Sequence, residues 1–552
     1  MAATANVGGC IYGSTLNGGF GERSWTYAWS VLAAAPPPLR KLHVLDVKVW
    51  ERRFMWAFLF KRLATYHFCH HVRPVLSASH TRCKTTRANP QRYARPRPQE
   101  KAVKTTVESS WQQRTDHFPL DKAEDFKRYP TVTSDALRSR KERPRRVKML
   151  MRDFIEDSLY NPHCGYFSKN VTIFSPGAPF DFNNIRDEPD FHRLLGERYT
   201  QFEDELDVAE YREDRQLWHT PTELFRPYYG EAIARYMVAN YRLTLYPYHD
   251  LVIYELGAGN GTLMLNILDH IRRTDPDVYS RTKFRIIEVS SALATLQSYR
   301  LHATAASRGH AEKVEIINKS VFDWDLYVPD PCFFLAMEVF DNFAHDMIRY
   351  DPATEETLQC SVLIDAEGEF YEFYSRDLDP VAARFLRVRD AACQDRNYPH
   401  PIRNTPRFIR NIRHALPFAP NLTLPEYIPT RLMQFFSLLG THFPAHRLIT
   451  SDFHSLPQAT KGYNAPVVQT RYQRRTVLVR TPLVQQGYFD ILFPTDFGVM
   501  EDIYRAITGR LTRVMTHEDF FRRWADVEGT QMRSGENALV GWYGNASVMV
   551  TV

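Results

Sequence analysis

The stretch that decides the fold of this chain is Leu251-Val252-Ile253-Tyr254-Glu255-Leu256-Gly257-Ala258-Gly259-Asn260-Gly261-Thr262-Leu263. It opens with a short apolar run containing β-branched side chains, and such a run predicts a buried parallel strand. Three glycines follow, and apolar residues then recur at helical spacing through residue 268. The pattern therefore predicts a strand, a glycine turn and a helix. At such a turn a ligand can approach the main chain and meet the N–H groups of the first helical turn.

The order of the acid and the glycines distinguishes between possible ligands. A dinucleotide site has the pattern Gly-x-Gly-x-x-Gly, with the pyrophosphate at the helix N-terminus. Here the third glycine comes one residue earlier, and Glu255, which precedes the first glycine, would repel a pyrophosphate. The form Glu-Leu-Gly-x-Gly-x-Gly resembles motif I of class I methyltransferases, which bind S-adenosylmethionine (SAM). This resemblance favours SAM over NAD, and a tight turn without any ligand is the remaining alternative.

Acidic residues end or follow three further apolar segments, each of which predicts a strand. These strands and their acids are 284–289 with Glu288, 314–317 with Asp323, and 332–337 with Glu338 and Asp341. Ligands of doubly wound α/β sheets bind outside the carboxyl ends of the strands, and the acid that ends the second strand accepts hydrogen bonds from ribose hydroxyls. The residues expected to bind the cofactor are therefore Glu255, Gly257, Ala258, Gly259, Gly261, Glu288 and Asp323.

The composition of the 552 residues excludes several classes of protein. The chain is 44% hydrophobic and 24% charged, as a globular protein is, and its net charge of +6 is too small to indicate nucleic-acid binding along its whole length. The seven cysteines form no Cys-x-x-Cys pair and the histidines show no ligand spacing, so we expect no disulfide framework and no metal. There is no run of roughly 18 apolar residues, so we expect no membrane span.

The N-terminal region differs from the rest of the chain. Residues 1–52 are rich in glycine and have no assigned role; we expect them to be disordered. Residues 53–99 contain no Asp or Glu but many Arg, Ser and Thr, with an amphipathic start, which is typical of a mitochondrial presequence. A basic arm for nucleic acid is the rival interpretation. Since a presequence normally begins a chain, translation could start at Met55. Residues 100–146 are predicted to be a polar linker.

The remaining sequence divides into a cap and a core. We expect residues 147–245 to form an N-terminal helical cap and residues 246–552 the methyltransferase core. Alternating apolar and polar residues at about 347–375 predict antiparallel strands inserted into that core. The basic stretch 471–480 is interpreted as a solvated strand face, with a partner-binding patch as the alternative.

Five motifs, in order along the chain, carry a resemblance to a known family. They are Ser158-Leu159-Tyr160-Asn161-Pro162 with Gly165-Tyr166-Phe167, Thr220-Pro221-Thr222-Glu223, Glu255 to Leu263, Glu288-Val289-Ser290, and Glu338-Val339-Phe340-Asp341-Asn342. Together they resemble the MidA-like family of mitochondrial complex I assembly methyltransferases, of which this chain looks like a divergent, fungal-type member. The resemblance implies a class I SAM-methyltransferase fold. This is an α/β, Rossmann-like doubly wound sheet with an N-terminal helical cap and an inserted and C-terminal β-rich substrate region.

The same resemblance implies a function. It implies SAM-dependent methylation of a protein arginine in the mitochondrial matrix, with a complex I subunit as the protein substrate. A guanidinium nucleophile needs carboxylates to orient it, and Glu223, Glu338 and Asp341 are the candidate catalytic residues. The alternative is that Glu223 caps a helix, and that Glu338 and Asp341 hold the ribose region or a loop.

The chain departs from the family pattern at three places. It has Gln216-Leu217-Trp218 where the family has Gly-Asp-Phe, Ala258 where it has Pro, and Phe343-Ala344 where it has Leu-Pro. These departures leave a second function open, that of a non-catalytic SAM-binding assembly protein with the same fold.

Overall fold

The structure is a computed structural model. It describes residues 120–552, apart from residues 170, 290–301, 395, 404, 407 and 411–419. The predicted unassigned segment 1–52, the presequence-like segment 53–99, residues 100–119 of the predicted linker and Ser290 of the fourth motif lie outside the described residues.

The described strands are, in chain order, β1 (Val147–Leu150), β2 (Val171–Ile173), β3 (Gln216–Trp218), β4 (Leu251–Leu256), β5 (Thr282–Glu288), β6 (Val314–Asn318), β7 (Cys332–Met337), β8 (Asp346–Tyr350), β9 (Thr357–Ile364), β10 (Phe370–Ser375), β11 (Glu426–Ile428), β12 (His446–Phe453), β13 (Val467–Tyr472), β14 (Arg475–Val479), β15 (Asp490–Leu492), β16 (Thr512–Thr516) and β17 (Ala546–Thr551). The described helices are α1 (Ala123–Arg128), α2 (Ser134–Leu137), α3 (Met151–Tyr160), α4 (Tyr166–Lys169), α5 (Glu188–Ala209), α6 (Pro221–Leu224), α7 (Tyr228–Thr244), α8 (Thr262–Thr274), α9 (Pro276–Ser280), α10 (Pro380–Ala392), α11 (Thr430–His442), α12 (Phe497–Thr508), α13 (His517–Trp524) and α14 (Ala538–Gly541).

A seven-stranded sheet forms the centre, in the order β16-β17-β12-β7-β4-β5-β6. Its neighbouring strands are parallel, except that β17 is antiparallel to both β12 and β16. The chain adds β5 and β6 on one side of β4, and β7 and β12 on the other. The order therefore reverses at β4, which is where ligands of such sheets bind. This confirms the predicted doubly wound α/β fold.

Helices cover both faces of this sheet because alternate side chains of each strand point to opposite faces. Ile253 and Phe333 lie in one core cluster with apolar residues of α7, α8 and α13. Their neighbours Tyr254 and Phe334 lie in a second cluster with residues of α10, α11 and α12. Burial on both faces explains why β4 and β7 are apolar nearly throughout. No helix among the described residues has the length and apolar character needed to cross a membrane.

Two further sheets lie beside the central sheet. One is antiparallel, in the order β1-β9-β8-β11, with β10 also paired to β9. Four of its strands, β8 to β11, are inserted between β7 and β12, and the first three of them occupy the segment where antiparallel strands were predicted. The other sheet has the order β14-β13-β15. A short parallel pair, β2 and β3, completes the β structure of the cap.

Part of the predicted linker belongs to the folded structure. Leu137 is buried, the Lys122 ammonium lies 2.7 Å from the Asp365 carboxylate, and Asp153 accepts a hydrogen bond from the backbone N–H of Ser134 at 3.0 Å. The ordered structure therefore begins well before the predicted boundary at residue 147. The polar composition of this segment concealed it because many of its contacts are hydrogen bonds and ion pairs to distant residues.

The basic stretch 471–480 connects the cap to the three-stranded sheet. Arg471 makes two bonds to the carboxylate of Glu203 in α5, at 2.7 and 3.1 Å, and both residues are buried. Arg474 pairs with Asp204 at 2.7 Å and with Asp207 at 2.5 Å. Arg471 is therefore an internal docking residue, which neither interpretation of the sequence anticipated. Arg474, Arg475 and Arg480 are exposed, as the solvated-face interpretation expected.

Candidate active site

The carboxyl edge of the central sheet opens into a cavity of about 1610 Å³. Its lining comes from the glycine turn, from the ends of β5 and β7, and from the cap residues of α3, α4, β2 and α6. Sites for small molecules usually occupy about 300–1000 Å³. The cavity therefore has room for a cofactor together with a second group.

The glycine turn adopts the conformation that its sequence requires. Gly257, Gly259 and Gly261 have φ of 70°, 53° and 74°, in the left-handed region that glycine populates without steric cost. A Cβ on Gly259 would lie 2.7 Å from Cδ1 of Ile173 in β2, so a side chain there would displace the end of Ile173 in addition to straining the backbone. Ala258 is buried and lines the cavity between these glycines.

Glu255 and Glu288 end adjacent strands, β4 and β5, and both line the cavity. Glu255 is 4% exposed, and its Oε2 has no hydrogen-bond partner among the described residues. Burial, and then the charge of Glu288, raise the pKa of Glu255 to about 8. A bound group that donates hydrogen bonds or carries positive charge would offset the cost of burying this carboxylate. SAM has ribose hydroxyls, an ammonium and a sulfonium, so the residues present fit it.

Asp323 does not join the predicted cofactor residues. It ends the 3-10 turn Val321–Asp323, and its carboxylate lies 2.7 Å from the guanidinium of Arg138. Its side chain is 46% exposed, whereas residues 320–322 line the cavity. Successive side chains of a 3-10 turn point about a third of a turn apart, so the acid is directed away from the cavity. The ion pair with a segment predicted to be a linker could not be anticipated from the sequence.

Glu223 lies with the glycine turn and not with the other two candidate catalytic acids. Its buried carboxylate accepts hydrogen bonds from Thr262 Oγ1 at 2.6 Å and Asn260 Nδ2 at 3.0 Å, and from the Arg226 guanidinium at 3.1 Å. The helix cap expected for this motif is supplied by Thr220, whose Oγ1 accepts the Glu223 N–H. Oε1 of Glu223 thus fixes the glycine turn, while its Oε2 is engaged by Arg226.

Glu338 and Asp341 lie together just beyond β7. Glu338 has φ of 54°, an uncommon value for a residue other than glycine, while its N–H continues the sheet by donating to Ser451 O at 2.9 Å. Asp341 is 3% exposed, and its Oδ1 has no hydrogen-bond partner among the described residues. Both side chains line the cavity. The backbone turn after β7 therefore supplies two carboxyl groups to the same space as the glycine turn.

Two further acids, missed by the sequence reasoning, complete this region. Asp490, from β15, lines the cavity and accepts a hydrogen bond from the amide of Asn342 at 3.0 Å. Asp452, which is buried in β12, accepts the N–H groups of Phe340 at 2.8 Å and Asp341 at 3.2 Å and so fixes the turn that follows β7. The sequence carries no signal for Asp490, because about 150 residues separate it from the turn that it meets in space.

We call Glu338, Asp341 and Asp490 the acidic group. Burial raises the pKa of Asp490 to about 7. Burial, followed by the neighbouring acids, raises the pKa of Asp341 and of Glu338 well above the ordinary range. Among the described residues, no three His, Cys, Asp or Glu side chains are arranged to hold one metal ion.

No lysine or arginine among the described residues forms an ion pair with the acidic group. The four arginines that line the cavity pair elsewhere: Arg226 with Glu223, Arg272 and Arg308 with Asp269, and Arg273 with Glu231. Buried carboxylates without a cationic partner are costly. This end of the cavity is therefore complementary to a positively charged ligand that can donate several hydrogen bonds.

The departures from the family motifs lie partly in the cavity wall. Trp218 and Phe343 line the cavity, as Ala258 does. Gln216 is buried behind the wall, where its amide bonds to the backbone N–H and C=O of Arg471, both at 2.9 Å. The departures therefore change the shape of the wall and its attachment to β13. One of them also removes a carboxylate, because the buried Leu217 stands where the family motif has an aspartate.

A model of a protein family described as S-adenosyl-L-methionine-dependent methyltransferase matches residues 232–516. A Schizosaccharomyces pombe protein named as a mitochondrial homologue of the protein arginine methyltransferase NDUFAF7 is 24% identical over 389 residues, which cover 69% of this chain and 80% of that protein. A Saccharomyces cerevisiae protein with the same name is 20% identical over 328 residues, which cover 56% and 74%.

Among solved structures, the chain is similar to a COG1565 superfamily member from Burkholderia thailandensis, described as a methyl transferase and bound to S-adenosyl-homocysteine. The two share 15% sequence identity with a TM-score of 0.46, over 73% of this chain and 88% of that one.

Replacing Glu255 by Gln should stabilise the protein in the absence of cofactor, increasingly so as the pH rises. The pKa of about 8 in the folded state lies above the value of about 4.3 in an unfolded chain, so the carboxylate destabilises the fold progressively as the pH rises between these values. The gain for Glu255→Gln should reach about 1–3 kcal/mol near pH 8. Thermal unfolding at several pH values measures it. Glu312→Gln, at an exposed site, is the control. A gain in stability that does not depend on pH would contradict the raised pKa of Glu255.

Replacing Glu223 by Gln should weaken SAM binding about tenfold, because hydrogen bonds to a charged acceptor contribute about 1.5–3 kcal/mol and the amide retains only part of this. Calorimetry with SAM measures the change, and Glu197→Gln, in an exposed pair on α5, is the control. Unchanged SAM affinity together with a loss of methyl transfer would instead indicate that Glu223 orients the substrate, as the sequence analysis expected.

Proposed function

The chain belongs to the family of S-adenosyl-L-methionine-dependent methyltransferases whose model covers residues 232–516, and from this premise we propose that it methylates an arginine side chain of a mitochondrial protein. The observation that carries the choice of arginine is the acidic group. It places three carboxyl groups, unpaired with any described basic residue, in the cavity that the glycine turn also lines. A guanidinium is planar, positively charged and rich in N–H donors, and it pairs with carboxylates in a fixed orientation.

The cofactor supplies an electrophilic methyl group when it is bound. The residues that would hold it are Gly257, Gly259 and Gly261 at the turn, with Glu255 and Glu288 accepting hydrogen bonds from its polar groups. The adjoining cap residues cover this part of the cavity, and exclusion of water favours transfer to a nitrogen nucleophile.

The acidic group has two tasks in this proposal. Its carboxylates orient the guanidinium, so that one nitrogen is presented to the cofactor side of the cavity. One of its members must also receive the proton that the attacking nitrogen gives up. Asp490 suits this second task, since its pKa of about 7 lets it exchange a proton near neutral pH. Asp341, whose unpartnered Oδ1 faces no described donor, suits the first.

Three observations support a mitochondrial protein as the substrate. Both curated relatives carry "mitochondrial" and "protein arginine methyltransferase" in their names. Residues 53–99 have the composition of a presequence. The motifs resemble those of complex I assembly methyltransferases. We therefore propose the matrix as the location, and a subunit of respiratory complex I as the substrate.

A labelled-methyl assay tests the activity. The wild-type protein should transfer label from SAM to an arginine in a mitochondrial extract prepared from a strain that lacks this gene. Asp341→Asn should bind SAM normally and transfer at least about tenfold more slowly, which corresponds to about 1.4 kcal/mol of transition-state stabilisation. Asp277→Asn, at an exposed position of α9, is the matched control. A wild-type protein that binds SAM but labels no arginine would favour the non-catalytic assembly role instead.

Fluorescent fusions test the location. A fusion that begins at Met55 should enter mitochondria, because it retains the amphipathic basic segment, and a fusion that begins at Lys101 should not. Fractionation with protease protection measures whether the imported protein lies in the matrix. A cytosolic or nuclear signal from the Met55 fusion would contradict the presequence interpretation.

A further inference from the structure

Two aromatic rings of the cap line the cavity that contains the acidic group. Tyr160 ends α3 and Phe167 lies in α4, and their rings stack with centroids 5.4 Å apart and an interplanar angle of 21°. The proposed function assigns them no task. Aromatic side chains buried only for stability need not line a ligand cavity, so their position calls for a separate explanation.

Tyr160 lies close to the acids on both sides of the cavity. Its hydroxyl donates to the backbone carbonyl of Asn342 at 3.2 Å, next in the chain to Asp341. Burial raises the pKa of Tyr160 well above its ordinary value, and the charges of neighbouring acids add to this, first Glu156 of the same helix and then Asp341, Asp490 and Glu288. The ring therefore lies near the acidic group and also near the acid that ends β5.

The second ring is fixed from behind. Phe167 meets Tyr166 edge to face, with centroids 5.2 Å apart. The Tyr166 hydroxyl donates to Gln216 Oε1 at 3.2 Å and accepts a hydrogen bond from the indole N–H of Trp218. Gln216 and Trp218 are two of the positions at which the chain departs from the family motifs. The departures thus stabilise the position of the aromatic pair.

We propose that Tyr160 and Phe167 are specificity-determining residues, which form an aromatic face for the guanidinium that the acidic group binds. This inference rests on the proposed function and deepens it. A guanidinium is planar and weakly hydrated, so it can lie on an aromatic face while its N–H groups meet carboxylates at its edge. An ammonium is compact and strongly hydrated, and it gains less from such a face. The combination of rings and acids therefore selects arginine over lysine.

Binding of two small probes tests this selection without requiring methyl transfer. The probes are N-acetyl-arginine methylamide and N-acetyl-lysine methylamide, titrated by calorimetry into the full-length protein saturated with S-adenosyl-homocysteine. The arginine probe should bind more tightly. Tyr160→Leu should weaken its binding about five- to tenfold, as loss of a cation–π contact in a desolvated site predicts, and should change the lysine probe less than about twofold. Tyr160→Phe, which retains the ring, should stay within about twofold of wild type.

Controls separate this role from a structural one. Tyr371→Leu makes the same change at a buried tyrosine that does not line the cavity, and it should leave the binding of both probes unchanged. If Tyr160→Leu does not fold, Phe167→Leu takes its place, with the same expected loss. Equal binding of the two probes, no binding of the arginine probe to wild type, unchanged binding to the leucine variant, or a parallel loss of S-adenosyl-homocysteine affinity would each overturn the proposal. Failure of the proposed function would instead appear as absence of labelled arginine in the transfer assay.

Discussion

The site depends on carboxylates buried at one edge of a parallel sheet without cationic partners among the described residues. Glu255 lies at the end of β4. The acidic group lies in the turn after β7 and in β15. Each raised pKa shows that the fold bears a free-energy cost for holding the charged form. A cationic ligand offsets that cost, and the proposed reaction supplies two cations, the sulfonium of the cofactor and the guanidinium of the substrate. The cost of burying carboxylates therefore accounts both for the part of the cavity around Glu255 and for the part around the acidic group.

Fixing these charges requires turns that cannot relax, and a buried acid stabilises each of the two turns involved. Glu223 binds Asn260 and Thr262 and so fixes the glycine turn. Asp452 accepts N–H groups of the turn after β7, where Glu338 is in the left-handed conformation. Preorganised groups of this kind are more effective than mobile ones because they need no rearrangement during the reaction. Glu223 does this through side-chain hydrogen bonds and Asp452 through backbone N–H groups.

The sequence predicted those parts of the site that depend on local order. The strand, the glycine turn and the acids that directly follow β5 and β7 could be located because a parallel strand fixes where its own carboxyl end lies. Asp490 and Tyr160 could not, since they reach the cavity from strands and helices remote in the chain. Asp323 was expected at the cofactor because it follows its strand closely, but a short turn directs its side chain to Arg138. Residues 121–146 were predicted to be a linker because of their polar composition. Composition does not reveal hydrogen bonds to distant residues, so their place in the folded structure was missed.

The distribution of the departures from the family motifs bears on whether the protein is an enzyme or only an assembly factor. Trp218, Phe343 and Ala258 alter the wall of the cavity, while Glu338 and Asp341 remain in place without a basic partner. A protein that never bound a cation there would be more stable with neutral side chains at those positions, because an unpaired buried carboxylate lowers the free energy of unfolding. Retention of these two acids in a reshaped wall, despite the loss of the motif aspartate at Leu217, favours a changed choice of substrate over a loss of catalysis.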